Sequence, residues 1–225
     1  MRKFLEVIAT SEEEAREAEA GGADRVELVR AFGTGGLTPD AHTIERVLHS
    51  VQIQIRVMVR ESATLEAGAD LERLCQRARE IAALQVDGLV FGFAKQGAID
   101  VEATGRVLEA APGANVTFHR AFDDAADPFR AIEQLKQFPQ IDRILTSGGE
   151  GPWQERRRRL REWQAAAGER IRLLVAAGLC QCVLAGLRAD DDLTEVHVGR
   201  AARVPRTVDG ELRRDRVAAL KSALG

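Results

Sequence analysis

The segment TFHRAFDD, residues 117–124, places an imidazole, a guanidinium and two carboxylates at the end of an apolar stretch. Enzymes use side chains such as His119 and Asp123 as general acids and bases, and Arg120 is suited to holding a carboxylate or a phosphate. A strand that ends in so many ionisable groups either reaches the surface there or delivers these side chains to a site. The alternative for His119 is a core histidine whose hydrogen bonds are satisfied.

Ionisable side chains also occur within or at the end of other segments that have the character of strands. They are Glu6 in FLEVIA, Glu27 in DRVELV, Arg60 at the end of VQIQIRVMVR and His197 in LTEVHVG. We predict that Glu27, His119 and Asp123 are acid–base residues. We predict ligand-binding roles for Glu6, Arg60, Arg120 and His197. The alternative is that Glu6 with Arg60, or Glu27 with Arg120, forms an ion pair that only closes the end of the sheet.

A small-residue turn follows a further strand-like segment, RILT, and consists of Ser147, Gly148 and Gly149. Successive backbone N–H groups in such a turn can cradle an anion. We therefore predict that these three residues contribute to ligand binding, with an ordinary turn as the alternative.

Eight strand-like segments alternate with eight helical ones along the chain, without a break in composition. Such alternation predicts a parallel sheet with right-handed crossovers, and eight units predict a closed (β/α)₈ TIM-like barrel. The expected architecture is thus one compact α/β domain over residues 1–225, in which the candidate residues meet at the C-terminal ends of the strands. A doubly wound open sheet is the alternative, but IATSEEE after the first strand lacks the glycines of a phosphate turn.

The composition narrows the class of protein. The 225 residues are 45% hydrophobic and 30% charged with a net charge of −3, which is typical of a soluble protein and gives no support to nucleic-acid binding. No apolar run approaches the roughly 20 residues of a membrane span, and the start of the chain turns acidic too early for a signal peptide. Three cysteines are too few for a disulfide framework. These features predict a cytoplasmic protein.

Several longer motifs resemble those of the copper homeostasis protein CutC family, in the same order and over nearly the whole chain. They are LEV (5–7), GADRVEL (22–28), GGLTP (35–39), VTFHRAFD (116–123), RILTSGG (143–149) and EVHVGRAAR (195–203). The resemblance implies a TIM-like barrel in a cytoplasmic protein that forms homodimers or larger homo-oligomers. It also implies a role in copper tolerance or trafficking.

The cysteines of this chain depart from the family pattern. Some family members have cysteines just after the first LE, where this chain has VIAT (7–10). Cys180 and Cys182 form a C-x-C pair after the seventh strand, and soft thiolates suit Cu(I). The alternative is that at least one of them is a small buried apolar residue. We therefore expect weak copper binding or none.

Two functions remain open from the sequence. The first is a cytoplasmic copper-binding or copper-trafficking protein, which the family resemblance favours. The second is an enzyme that acts on a small polar or anionic metabolite at the mouth of the barrel. The site chemistry favours the enzyme, because arginine cannot ligate a metal and carboxylates with imidazoles are not a Cu(I) ligand set.

Overall fold

The computed structural model describes residues 2–225, and eight parallel strands close into a barrel. The strands are β1 (Phe4–Ala9), β2 (Arg25–Leu28), β3 (Gln54–Met58), β4 (Gly88–Phe91), β5 (Asn115–Phe118), β6 (Ile141–Thr146), β7 (Arg172–Val175) and β8 (Glu195–Val198). Each strand pairs with the strands before and after it in the chain, and β1 pairs with β8. The predicted TIM-like barrel is confirmed.

One α-helix follows each strand. The helices are α1 (Glu12–Ala20), α2 (Ala41–Ser50), α3 (Leu71–Ala83), α4 (Val101–Ala110), α5 (Pro128–Lys136), α6 (Trp153–Ala167), α7 (Gln181–Leu187) and α8 (Arg214–Leu224). Local chemistry sets their ends: at α1, for example, Ser11 Oγ accepts a hydrogen bond from the N–H of Glu14 at 3.2 Å. Among residues 2–225, no helix is long and apolar enough to cross a membrane.

The apolar core lies between the barrel and its helices. Successive side chains of a strand point to opposite faces, so the outward residues of each strand meet the helical layer. In β5 these are Val116 and Phe118, both fully buried, while Thr117 and His119 take the opposite parity and reach the interior. His119 directly follows β5, and the strand therefore delivers this imidazole to the inside of the barrel.

Charged side chains occupy the barrel interior where branched apolar residues are usual in this fold. The guanidinium of Arg56 forms two hydrogen bonds of 2.6 Å to the carboxylate of Asp142. It also donates to Asp87 at 3.2 Å and to the hydroxyl of Thr117 at 2.7 Å. Since Arg56 is only 1% exposed, these partners compensate the cost of burying its charge.

A second group of charged side chains lies between the Arg56 cluster and the mouth of the barrel. Arg143 donates to Glu195 at 2.6 and 3.0 Å, and Arg25 lies 3.5 Å from the same carboxylate. Arg25 also forms a buried ion pair with Glu6. The alternative in which Glu6 pairs with Arg60 is not found in residues 2–225, because Arg25 on the neighbouring strand is the arginine that pairs with Glu6.

Two short antiparallel hairpins lie in loops after strands. Ala94–Lys95 pairs with Ala98–Ile99 after β4, and Arg203–Val204 pairs with Glu211–Leu212 after β8. The sequence pattern did not predict either hairpin, because two residues are too few to show a period.

Candidate functional site

A cavity of about 630 Å³ opens at the C-terminal ends of the strands. Six of the predicted site residues line it: Glu27, Arg60, His119, Arg120, Asp123 and His197. Glu6 lies one step deeper and reaches the cavity only through its contact with His197. The volume is within the range of sites that take small molecules, so the candidate residues meet in a pocket suited to a metabolite.

His197 connects two buried carboxyl groups in the wall of this cavity. Its Nδ1 lies 2.7 Å from Oε1 of Glu6 and 3.3 Å from Oε2 of Glu27. The two glutamates are only 1% and 2% exposed. Glu6 has Arg25 as a further partner, whereas Glu27 has no other ion-pair partner among residues 2–225. The two carboxyls therefore differ in how well their negative charge is compensated.

This difference separates their pKa values. Burial acts to raise the pKa of Glu6, but Arg25 and His197 outweigh it and hold that pKa below its ordinary value. Burial raises the pKa of Glu27 to about 7, and the charge of Glu6 acts in the same direction, although His197 opposes both. Burial likewise acts to lower the pKa of His197, but Glu27 and Glu6 raise it on balance. Glu27 is thus the carboxyl that can exchange a proton near neutral pH.

His119 is buried at the start of the short 3₁₀ turn Arg120–Asp124, with 5% of its surface exposed. Its Nδ1 accepts the backbone N–H of Ala121 at 3.1 Å. Burial and, to a smaller extent, the positive charge of Arg60 lower the pKa of His119 to about 3. A pKa this low keeps the ring neutral near pH 7 and makes it a weak base, and the geometry favours hydrogen bonding over the acid–base role predicted for it.

Arg60 supplies a positive charge in the wall of the cavity. Its Nη1 donates to the carbonyl of Gly35 at 3.3 Å, and its Nη2 donates to the carbonyl of Ala63. Its Nε is buried without a hydrogen-bond partner, and Arg60 forms no ion pair within residues 2–225. Burial lowers the pKa of Arg60, which reflects the cost of leaving this charge without a counter-ion. An anion in the cavity would provide that counter-ion.

Three more arginines surround the cavity, and they differ in their partners. Arg120 donates from Nε to Asp123 at 2.8 Å, so it does not pair with Glu27 as one alternative proposed. Arg206 donates to the carbonyl of Leu179 at 2.7 Å. Neither Arg200 nor Arg206 has an acidic partner in the described part of the chain. Sequence reasoning missed both, although Arg200 lies within the motif EVHVGRAAR.

Asp123 anchors the turn that follows β6. One of its oxygens accepts from the hydroxyl of Thr146 at 2.6 Å and from the N–H of Ser147 at 3.1 Å. The N–H of Gly148 donates to Thr146 Oγ1, and that of Gly149 donates to Ser147 Oγ. These partners occupy the N–H groups that were predicted to cradle an anion, and the three turn residues do not line the cavity. Asp123 thus fixes the turn and Arg120, and its acid–base role stays a prediction.

The two predicted metal ligands are bonded to each other. Cys180 and Cys182 form a disulfide, so neither sulfur is a thiolate in this form. The three-cysteine count had argued against a disulfide, but the C-x-C spacing brings the two Cα atoms to 5.4 Å, within the normal range for one. The pair lines a separate cavity of about 350 Å³.

One other group among residues 2–225 has the composition of a metal site. Ligand atoms of Glu6, Glu27 and His197 lie within 4.8 Å of one another. Two carboxylates and an imidazole are not a Cu(I) set. Moreover, Arg25 and His197 already compensate Glu6, so the cluster is stabilised as an ionic network and we do not assign it a metal.

A model of the CutC family matches residues 3–202. The chain belongs to the CutC family. A family protein CutC from Parabacteroides distasonis is 34% identical over 201 residues, which cover 88% of this chain and 82% of the relative. A family protein CutC from Xanthomonas campestris pv. campestris is 35% identical over 204 residues, which cover 89% and 84%. The matched region contains all the site residues named above except Arg206.

One solved structure agrees with this assignment, and a second shares only the fold. A crystal structure described as the copper homeostasis protein CutC of Streptococcus agalactiae superposes with a TM-score of 0.79 at 25% identity, over 88% of this chain and 98% of that one. Orotidine 5′-monophosphate decarboxylase from Methanocaldococcus jannaschii superposes with a TM-score of 0.64 at 16% identity, over 100% and 99% of the two chains. The second likeness shows that the barrel fold is shared and carries no information about the reaction.

Proposed function

We propose that this CutC-family protein is an enzyme that transfers protons on a small anionic metabolite bound at the mouth of the barrel. One observation carries the proposal: a buried carboxyl with a pKa of about 7, Glu27, and a guanidinium without an acidic partner, Arg60, line the same cavity of about 630 Å³. The buried carboxyl and the guanidinium without a counter-ion each lower folding stability. Groups of this kind are concentrated at sites that bind and transform a ligand.

The charge around the cavity supports an anionic ligand. Arg60, Arg200 and Arg206 all line it, and none of them has an acidic partner among residues 2–225. Arg60 is half-buried, so a carboxylate or phosphate placed against it is screened less by water than it would be at the surface. Guanidinium groups also match the geometry of both anions by donating two hydrogen bonds at once.

The network below the cavity supports proton transfer by Glu27. Arg25 keeps Glu6 ionised, and Glu6 in turn holds His197 in place beside Glu27. Glu27 is left as the group whose protonation state changes near neutral pH, which is the condition for an efficient general acid or base.

A copper function is the second candidate, and one observation favours it. The sulfurs of Cys180 and Cys182 are adjacent, so the reduced pair would direct two soft thiolates at one Cu(I) ion. The name of the Streptococcus agalactiae relative points the same way. Such a site would use the start of α7 and not the cluster of Glu27 and His197, so the two functions can be tested separately.

A ligand screen tests the main proposal. Thermal melting and saturation-transfer NMR would be recorded with phosphate, citrate, pyruvate, 2-oxoglutarate, glucose 6-phosphate and dihydroxyacetone phosphate, using wild type and Arg60→Gln. Arg158→Gln is the matched control, because Arg158 is an exposed arginine of α6 paired with Glu162. We expect at least one anion to stabilise wild type and Arg158→Gln but not Arg60→Gln. No stabilisation by any anion, or an equal effect on Arg60→Gln, contradicts the proposal.

A further inference from the structure

We propose that the proton removed by Glu27 comes from a carbon next to a carbonyl group, and that the Nε2–H of His119 donates a hydrogen bond to that carbonyl oxygen. The substrate class is then a carbonyl compound that also carries a carboxylate or phosphate. This inference rests on the proposed function, since it needs an anionic ligand at the same mouth.

The backbone fixes which nitrogen of His119 carries the proton. Nδ1 accepts the N–H of Ala121 at 3.1 Å, so Nδ1 has no proton of its own. In the neutral ring the proton is then on Nε2. Nε2 has no protein partner among residues 2–225, and the residue lines the cavity. A side chain that is 95% buried thus presents one free N–H donor to the ligand.

The position of the His119 ring depends on Gly92. A Cβ atom at position 92, just after β4, would lie 2.8 Å from Nδ1 of His119 and 3.0 Å from the ring of Phe118. Only glycine therefore lets the imidazole pack against this backbone. The ring is held on one side by residue 92 and at Nδ1 by Ala121, which fixes its direction before a ligand arrives.

The charges that face His119 keep it neutral. Burial and the guanidinium of Arg60 oppose protonation, and Arg120 adds to this effect. A neutral imidazole donor is suited to an oxyanion that forms during reaction, because it stabilises the charge without transferring its own proton at the outset. A protonated imidazolium would lose its proton at neutral pH in this environment, so it is not available as an acid.

Glu27 and His119 approach the cavity from different walls. Glu27 belongs to β2 and His119 follows β5, with β3 and β4 between them in the barrel. Arg60 follows β3 and therefore lies on the arc between these two groups. A ligand with its anionic group on Arg60 would place its neighbouring atoms between the base and the donor.

The step balances without a further reactant. The Glu27 carboxylate takes a proton from carbon, the C–H electron pair becomes the C=C bond of an enolate, and the carbonyl π pair moves to oxygen. His119 Nε2–H stabilises that oxygen. Glu27, now protonated, exchanges this proton with solvent and returns a solvent proton to the same carbon, while the oxygen electron pair re-forms the carbonyl; the net result is exchange of that hydrogen with solvent.

Proton exchange with solvent tests this step directly. Wild-type protein would be incubated in D₂O with pyruvate, 2-oxoglutarate, oxaloacetate and dihydroxyacetone phosphate, and ¹H NMR would follow the signal of the carbon next to the carbonyl. We expect exchange above the protein-free rate for at least one compound that binds. Glu27→Gln should abolish it, and His119→Gln should slow it on the order of 10²-fold, as for loss of one oxyanion donor. His42→Gln, at an exposed histidine of α2, is the control.

The outcomes separate this inference from the proposed function. Binding that depends on Arg60 but gives no exchange overturns the inference alone, whereas failure of every anion to bind overturns both. Unchanged exchange in His119→Gln overturns the role of His119. Should that variant fail to fold, ¹⁵N NMR of the wild-type imidazole replaces it: we expect a protonated Nε2 and an unprotonated Nδ1 from pH 5 to 8. A protonated Nδ1 overturns the inference.

Discussion

Nδ1 of His197 lies 3.3 Å from Oε2 of Glu27, and this is the closest charged contact that Glu27 makes in the described chain. The same nitrogen is closer to Glu6, at 2.7 Å. One imidazole is thus shared unequally between two carboxyls. Because Glu6 also has Arg25, the less compensated Glu27 is the group whose proton affinity is raised.

Glu27→Gln should stabilise the protein at alkaline pH. Since the folded pKa of about 7 lies above the ordinary value of 4.5, the folded state keeps this proton while the unfolded state loses it between these pH values. The wild type therefore loses stability as pH rises through that window, and Gln does not. We expect no difference in the free energy of unfolding near pH 4.5 and a gain of about 1–3 kcal/mol for the variant above pH 7. Urea unfolding at both pH values measures it, and a variant that is less stable at pH 8 contradicts it.

Arg56→Met should strongly destabilise the barrel. The substitution removes both hydrogen bonds to Asp142 and the ion pair with Asp87, so the two carboxylates lose the cation that they share and only Arg143 still contacts Asp142. Breaking such a pair from one side should lower the free energy of unfolding by about 3 kcal/mol. Arg158→Met is the control, because its pair with Glu162 is exposed and should contribute less than about 1 kcal/mol. Equal midpoints of urea unfolding for the two variants would show that the interior network does not support the fold.

Asp123→Ala and Arg120→Ala should differ in stability although the two residues are paired. Asp123 accepts from Thr146 and from the N–H of Ser147, so its loss leaves two donors without a partner and should cost about 1–3 kcal/mol. The side chain of Arg120 is 56% exposed, so removing it should cost less than about 1 kcal/mol. Thermal melting compares them, and a lower melting temperature for Arg120→Ala would reverse the assignment.

Copper binding should depend on the redox state of the C-x-C pair. The disulfide between Cys180 and Cys182 leaves no thiolate, so we expect the oxidised protein not to compete with a Cu(I) chelator. We expect weak binding at most after reduction, and Cys180→Ser with Cys182→Ser should abolish what remains. Tight stoichiometric binding by the oxidised or the reduced protein, including tight binding that both substitutions abolish, would contradict this account, and so would binding that survives both substitutions.

Much of the fold followed from the sequence because each βα unit carries its own signal. Strand-like and helical periods alternate eight times, and β1 (Phe4–Ala9) has the same bounds in the structure as in the pattern FLEVIA. The position of Glu27, Arg60, His119 and His197 at one mouth then followed from the polarity of parallel strands.

The partners of those residues could not be predicted from the sequence, because they depend on strand register and on the length and direction of the side chains. Arg25 and Glu195 appeared as ordinary strand residues, and only the alignment of Glu6 with Arg25 and with His197 across neighbouring strands shows the network. The disulfide of Cys180 also depends on local backbone geometry that a two-residue spacing does not reveal.

The proton affinity of Glu27 tests the central claim most directly, because it requires no knowledge of the substrate. Protein labelled with ¹³C at the glutamate side-chain carboxyl would be titrated by NMR from pH 4 to 9, with Glu27→Gln to assign the signal. The account predicts one carboxyl resonance that titrates with an apparent pKa of about 7 and is absent from Glu27→Gln. If the resonance assigned to Glu27 titrates with an ordinary pKa near 4.5, Glu27 is not the proton-transfer group and the account is contradicted.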